Sequence, residues 1–358
     1  HFFKGGKMAR KIQYYDGTKI LNMKDLEGLT PSIYLISSNR SAGKTTYFLK
    51  LSLEEFINQK RKVILMYRNQ YELNGAYKIY DDVMNIYGDL NGDITTQAIA
   101  KGLFYELFYN DESMGFAISL NNPDALKKYS PLFTDVYNII FDEFQLENGR
   151  YLTKEVEKMQ SVLFTIARGG GSQSRYVRLF MLANNVTIMN PYYITFGIHK
   201  RLKSDTKFMR GNGWVAEFGF YESAAVAIKS NPLARAFENS DYVKYSAGNE
   251  YLVMTDSFIE RPKGKSKYIF TILHDNVAYG VRDCFEAGIM YVSKKVDASC
   301  LNVITFKAKD HNQNTMMLNH YCYFWKNIKD AFQRGYLRFD DLQTKNAIFD
   351  ILAIDIYK

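Results

Sequence analysis

Two adjacent residue types suited to polyphosphate chemistry, Lys44 and Thr45, close the stretch Ser38-Asn39-Arg40-Ser41-Ala42-Gly43-Lys44-Thr45, and Thr46 follows. A lysine ammonium neutralises phosphate oxygens, and a threonine hydroxyl is a hard oxygen ligand of the kind Mg²⁺ takes. For both to act on one ligand, the loop amides must point at a phosphate. That happens where a strand runs into a helix, because the helix's first N–H groups have no partner within it. Such loops usually carry glycine at the first position, where Ser38 stands here. The substitution predicts either a sterically costly backbone at Ser38 or a slightly different turn.

A second pair, Asp142-Glu143, ends the apolar run that begins at Val136. In a phosphate-loop ATPase the Asp at such a strand end holds the Mg²⁺ shell, and the following Glu orients and activates the attacking water. A chance Gly-Lys-Thr or a solvated acidic turn explains either pair alone, but not both in this order and context. The cofactors implied are ATP and Mg²⁺, with Thr45 and Asp142 as metal ligands. The dedicated base also separates reaction types, since a small-molecule kinase excludes water and has no use for one. Hydrolysis is therefore expected.

These side chains need a parallel sheet to hold them. Ile33 to Ile36 is β-branched and apolar ahead of the loop, and Leu49, Leu53, Phe56 and Ile57 give the following segment a helical stripe. Val63 to Tyr67 reads as a buried strand, and its end places Arg68 at the carboxyl edge of the sheet, within reach of a nucleotide, although a surface arginine after a strand reads equally well. Residues 77 to 88 read as a helix, and 103 to 119 as a hairpin turning at Asn110-Asp111. Thr153 is expected to cap a helix striped by Val156, Met159, Val162, Leu163 and Ile166, which ends at Arg168 before a glycine-rich loop. The strand Val177 to Leu182 leads to Asn184, placed to sense a γ-phosphate or the lytic water, although Asn is also a common turn former.

At 358 residues the chain exceeds what a single core usually holds, roughly 250–300 residues, so two domains are expected. We expect an ATPase domain over 8–198, a basic linker or lid over 199–235, and a smaller α/β domain over 236–358. Residues 1–7 precede the first methionine and are set aside. The second domain is read from short strands at 251–254, 268–273, 277–281, 289–292 and 303–306, with a turn at His274-Asp275-Asn276. A helix bearing Tyr321, Trp325, Ile328 and Phe332 and a last one through Ile348, Ile351 and Leu352 complete it. No apolar run approaches the ~18–20 residues needed to span a bilayer, and Cys284, Cys300 and Cys322 have no metal-site spacing. A soluble protein of a reducing compartment is expected. The net charge of +8 favours a polyanionic partner. Lys200, Arg201, Lys203 and Lys207, in one run, are candidate nucleic-acid contacts, equally readable as a solvated face. The wealth of Tyr, Phe, Lys, Asn and Ile matches A/T-rich codons and carries no functional weight.

Taken together these residues resemble the DNA-packaging ATPases, or encapsidation proteins, of the small phi29-like tailed phages, relatives of the large terminase subunits. The likeness runs from Ser32 onward. It rests on Arg40 inside the loop, Phe141-Asp142-Glu143-Phe144, Asn190-Pro191-Tyr192, and Gly335-Tyr336-Leu337-Arg338-Phe339-Asp340 near the end.

The resemblance implies an ASCE-type P-loop ATPase domain followed by an RNase H-like domain. It also implies a ring of identical subunits, a pentamer, on the portal of an empty procapsid in the host cytoplasm, off the membrane, driving double-stranded DNA inward. In the members nearest this chain a structural RNA is a further partner. Arg168 falls on the family's arginine finger, which completes a neighbouring subunit's site. The loop 169–174 is longer than the family's compact Arg-rich run, so Arg175 and Arg178 stay open as alternatives. Larger terminases cut DNA with clustered carboxylates holding two metals. Here the first meander strand carries no acid where that cluster needs one, and Asp256, Asp283 and Asp297 lack metal-site spacing, so a vestigial, non-cleaving domain is expected, its basic run Arg261, Lys263, Lys265 and Lys267 binding DNA or the structural RNA. The competing readings are a terminase-type nuclease and a helicase-like ATPase.

Overall fold

Strands with near-continuous apolar runs build the first sheet. In the computed structural model, which describes residues 14–88, 90, 92–146, 151–168, 174–188, 190–203, 205–236, 259–317 and 322–356, it has nine strands. They are β1 (Ile33–Ser38), β2 (Lys62–Tyr67), β3 (Ile94–Ile99), β4 (Phe104–Tyr109), β5 (Glu112–Ser119), β6 (Val136–Asp142), β7 (Arg178–Asn184), β8 (Phe208–Gly211) and β9 (Trp214–Phe218). The order is β3-β4-β5-β2-β6-β7-β1-β9-β8. From β5 through β9 every neighbouring pair is parallel, and antiparallel strands flank the block on both sides. Residues 34–38 of β1 are all buried, as expected for a parallel strand covered on both faces. The helix Lys44–Gln59 buries Phe48, Leu49, Leu53 and Phe56, and the helix Glu155–Ile166 buries Val156, Met159, Val162 and Ile166.

This order matters for chemistry because β7 lies between β1 and β6. Register pairs Ser38 with Asn184 and Asp142 with Leu182, so the loop, the sensor candidate and the two acids emerge from the same edge of adjacent strands. The turn at Asn110-Asp111 forms as expected, both residues having positive φ (48° and 64°), the geometry of a two-residue hairpin turn.

Two expectations about this unit are corrected. Thr153 does not cap the helix: Lys154, with φ 55°, occupies the cap position, and Glu155 begins the helix. The segment expected to be a linker or lid over 199–235 is divided between the units. The described residues up to Val186 and from 207 to 236 form one unit, whereas Thr187–Thr206 belongs with the residues from 259 onward. Thus β8 and β9 return to the first sheet, with β9 parallel to β1. A charged residue in its middle hides β9 from a hydrophobicity reading. Glu217 is nevertheless only 7% exposed, and accepts a hydrogen bond from the Tyr15 hydroxyl at 2.7 Å.

The second unit holds β10 (Lys267–His274), β11 (Val277–Cys284), β12 (Ile289–Ser293), β13 (Val303–Thr305), β14 (Met316–Met317) and β15 (Leu337–Phe339), in the order β14-β13-β10-β11-β12-β15. β10, β11 and β12 form an antiparallel meander, while β13 and β15 pair parallel to its two outer strands. Asp275 and Asn276 turn the first hairpin with φ 50° and 62°. The helices Tyr323–Gln333 and Leu342–Ile356 bury Trp325, Ile328, Ile348, Ile351 and Leu352 as their stripes predict. The strand expected at 251–254 and Tyr321 lie outside the described residues.

Candidate active site

Ser38 shows how the loop works without its first glycine. It is the last residue of β1 and does not adopt positive φ; the left-handed positions fall instead on Ser41 (φ 60°) and Gly43 (φ 93°). The strain expected at Ser38 is therefore absent, and its hydroxyl has a role: it accepts a hydrogen bond from Lys44 Nζ at 2.8 Å. Lys44 also donates to the Asn39 carbonyl at 3.3 Å and to Asn184 Oδ1 at 3.5 Å. Burial pushes its ammonium down to about 8, against the opposing charges of Asp142 and Glu217. A cation held this way is poised for an anion. The Asn39 side chain faces elsewhere, pairing with both backbone groups of Tyr221 at 2.9 and 3.0 Å, so it fixes the loop to the segment after β9.

Thr45 and Asp142 meet directly, the hydroxyl donating to Asp142 Oδ2 at 2.7 Å. Burial raises the Asp142 pKa, and the Thr45 bond opposes that rise. The donors gathered here are oxygens only, which fits Mg²⁺ and not a softer metal. Glu143 is exposed and sits in the left-handed region at φ 56°, its N–H donating to Asp142 Oδ1 at 2.9 Å.

Arg68 is placed differently from the expectation that it touches nucleotide. Its Nε and Nη2 form a two-point ion pair with Glu155, both bonds 2.9 Å, and its remaining donors reach the carbonyls of Glu143 at 3.3 Å and Phe144 at 3.2 Å. Of the three finger candidates, Arg175 and Arg178 are held inside the unit. Arg175 bonds the carbonyls of Val136, Phe133 and Ile166, and Arg178 bonds Asn138 and Glu55. Arg168 is exposed just past the helix Glu155–Ile166, where the Arg175 N–H to Ala167 carbonyl bond of 2.9 Å brings the chain back.

A cavity of about 400 Å³ gathers Arg40, Ser41, Ala42, Gly43, Lys44, Thr45, Thr46, Asp142, Glu143 and Asn184. Its walls include Tyr14, Ile86 and Tyr87, which sequence reasoning missed because no motif marks them. A second cavity of about 590 Å³ shares Thr45, Asp142 and Glu143 and includes Arg68. Gln145 was also missed. It is buried and ties Ser37 (3.2 Å) to the Val186 N–H (3.3 Å), joining the ends of β1 and β7.

The basic candidates divide. Lys200 is ion-paired with Asp350 in the second unit, contrary to a free contact role. Arg201 and Lys203 are exposed in that unit, and Lys207 is exposed in the first. Arg261, Lys263, Lys265 and Lys267 are all exposed on the segment entering β10. Among the described residues, His274, Asp275 and Asp310 have atoms close enough to share a cation. However, Lys307 and Lys309 pair with Asp275 at 3.0 and 2.6 Å, and Asp310 accepts the N–H groups of Asp275 and Asn276.

A family model described as Podovirus DNA encapsidation protein (Gp16) matches residues 10–355. The chain is 26% identical over 356 residues to the DNA packaging protein of Bacillus phage phi29, covering 95% of this chain and 97% of that protein. Its fold is similar to a chain of the bacteriophage Phi-29 viral genome packaging motor assembly, with a TM-score of 0.54 at 24% identity over 97% of this chain and 100% of the other. It is also similar to the Phi-28 gp11 DNA packaging motor, with a TM-score of 0.57 at 16% identity over 97% and 98%.

Proposed function

The chain belongs to the podovirus DNA encapsidation protein family and is an ATP-driven DNA-packaging motor protein, and on that premise we propose how its residues divide the work. The observation that carries the reading is the convergence of Lys44, Thr45, Asp142, Glu143 and Asn184 on one cavity. The loop amides and Lys44 hold the β- and γ-phosphates of ATP. Thr45 and Asp142 hold Mg²⁺, which when bound offsets charge on those phosphate oxygens. Glu143 takes a proton from water as the water oxygen bonds to the γ-phosphorus and the bond to ADP breaks. Asn184, already bonded to Lys44, reports the γ-phosphate to β7. Arg168 serves a neighbouring subunit in a homo-oligomeric ring, a pentamer, stationed at the portal vertex in the host cytoplasm. Its exposure and the internal commitments of Arg175 and Arg178 support that choice.

The second unit is proposed to be RNase H-like and non-cleaving, binding double-stranded DNA or a structural RNA. What supports the loss of cutting is the lysine pairing of Asp275, which already offsets the charge a metal would need. Among the described residues no helix is long and apolar enough to cross a membrane.

Steady-state ATP hydrolysis with and without double-stranded DNA, beside Glu143→Gln and Lys44→Ala and with plasmid integrity followed in parallel, tests this. DNA-stimulated turnover is expected, lost in both variants, with Glu143→Gln still binding ATP and the plasmid intact. Equal loss of binding in both variants would sink the base assignment, and a cut plasmid would turn the second unit into a working nuclease.

A further inference from the structure

We infer that Arg68 and Glu155 form a positioning pair that holds Glu143 ready for hydrolysis, an inference that rests on Glu143 being the base. Both side chains are deeply buried, 7% and 1% exposed. A buried ion pair adds little stability over well-packed apolar residues of similar volume, so burial alone gives no reason for charges here. The pair's other bonds supply one. The Arg68 guanidinium donates to the carbonyls of Glu143 and Phe144 as well as to Glu155, and Glu155 Oε2 also accepts the Leu152 N–H at 2.8 Å. One planar group therefore ties the turn that carries Glu143 to the start of the following helix. The rings of Phe141 and Tyr151 lie 5.4 and 5.5 Å from it.

Glu143 needs such a tie. A non-glycine residue at φ 56° is in a sparsely populated conformation that persists only where its surroundings over-determine it. Its N–H is held by Asp142, its carbonyl by Arg68, and the next N–H, from Phe144, by the Leu182 carbonyl at 3.1 Å. Of these three holds, the Arg68 bond comes from a side chain with no part in binding phosphate or metal in the reading above. Without it the turn is free to relax toward negative φ, and the carboxylate no longer points where the water must sit. Arg68 thus contributes to turnover through Glu143 without touching the reacting atoms.

The test removes the pair without leaving a charge stranded. Arg68→Met with Glu155→Leu is compared with Arg68→Lys, Glu143→Gln and the triple variant, measuring thermal stability, MgATP affinity and single-turnover hydrolysis in the full-length protein. The expected result is a melting temperature and affinity near those of the unaltered protein, with hydrolysis slowed by roughly 10²-fold or more, within the 10²–10⁴ a positioned base contributes. Arg68→Lys, which keeps a cation opposite Glu155 but lacks the fork, is expected to be slowed as well. Adding Glu143→Gln to the double variant should cost little more, because the base is already misplaced. Unchanged hydrolysis, full additivity with Glu143→Gln, or an affinity loss as large as that of Lys44→Ala would each overturn the proposal. Loss of folding in the double variant together with normal hydrolysis by Arg68→Lys would make the pair structural only. If Glu143→Gln alone hydrolyses ATP normally, the base assignment fails, separately from any result at Arg68.

Discussion

The Thr45 hydroxyl donates to Asp142 Oδ2 at 2.7 Å, joining residues 97 apart in sequence across the carboxyl edge of one sheet. The bond places the two residues proposed as Mg²⁺ ligands against each other and lets the hydroxyl counter the burial that raises the Asp142 pKa. Asp142→Asn keeps the size and the acceptor oxygen but removes the charge that attracts the cation. Nucleotide binding without Mg²⁺ should stay within about 2-fold, while the gain in affinity on adding Mg²⁺ should shrink by about tenfold or more, equivalent to ~1.4 kcal/mol. Titration of ADP with and without Mg²⁺ measures both. A metal-dependent gain that survives in the variant would place the cation elsewhere.

The three arginines around the loop 169–174 should separate by phenotype. Arg175 bonds three carbonyls from β6, the segment before it, and the helix end, so Arg175→Ala should destabilise the fold by about 1.5–3 kcal/mol, the range for hydrogen bonds to a charged group. Arg178, paired with Glu55, should behave similarly. Arg168→Ala should leave the melting temperature unchanged and abolish turnover. Mixing it with Glu143→Gln should recover activity, because some subunit interfaces then combine an intact base with an intact finger. Failure of every mixing ratio to recover activity would mean that Arg168 acts within its own subunit or not at all.

Glu217 makes stability depend on pH. Burial holds its pKa above the usual 4.5, Asp16 adds to the rise, and the Tyr15 hydroxyl, Lys19 and Lys44 oppose it. Its proton is therefore held more tightly in the folded than in the unfolded state. Stability falls as pH rises through that window, since the unfolded chain binds fewer protons there. Glu217→Gln retains an acceptor for Tyr15 and removes the titration. Its melting temperature should exceed that of the unaltered protein at pH 7.5, and the gap should close toward pH 4. A gap that is constant with pH would show that the carboxyl does not titrate in this range.

The residues proposed to act in the candidate site were legible because each is announced locally. Lys44-Thr45 follows a β-branched strand and Asp142-Glu143 ends another, and strands buried on both faces read as unbroken apolar runs. The hairpin turns at Asn110-Asp111 and Asp275-Asn276 were legible because both positions adopt positive φ, which Asn and Asp tolerate. What stayed hidden depends on partners far away in sequence. β9 contains a buried glutamate that accepts a hydrogen bond from Tyr15, 202 residues earlier, with Lys19 and Lys44 supplying opposite charge. Arg68 reads as a nucleotide contact until Glu155 is seen opposite it. Lys200 looks like one of a basic run until Asp350 is found to pair with it. In each case the charge is visible in the sequence and its partner is not.

The same distinction between paired and unpaired charge should separate the basic residues that meet nucleic acid from those that do not. Arg261, Lys263, Lys265 and Lys267 are exposed on one short segment, whereas Lys200 is already paired. Each phosphate a cation neutralises contributes about −0.9 to the slope of log K against log salt on duplex DNA, and about −0.7 on single strands. Replacing all four residues of the 261–267 segment by alanine should therefore reduce the slope by roughly 2–4 if they track a backbone. Lys200→Ala should leave the slope unchanged and instead lower stability slightly, since a partly exposed pair contributes at most about 1 kcal/mol. Lys203 and Lys207, exposed in different units, serve as single-site comparisons. Binding isotherms from about 50 to 200 mM salt on duplex DNA and on structured RNA give both slopes. A loss confined to RNA would assign the segment to a structural RNA. A slope unaltered on either polymer would make it an ordinary solvated face and move the search for the grip to the first unit.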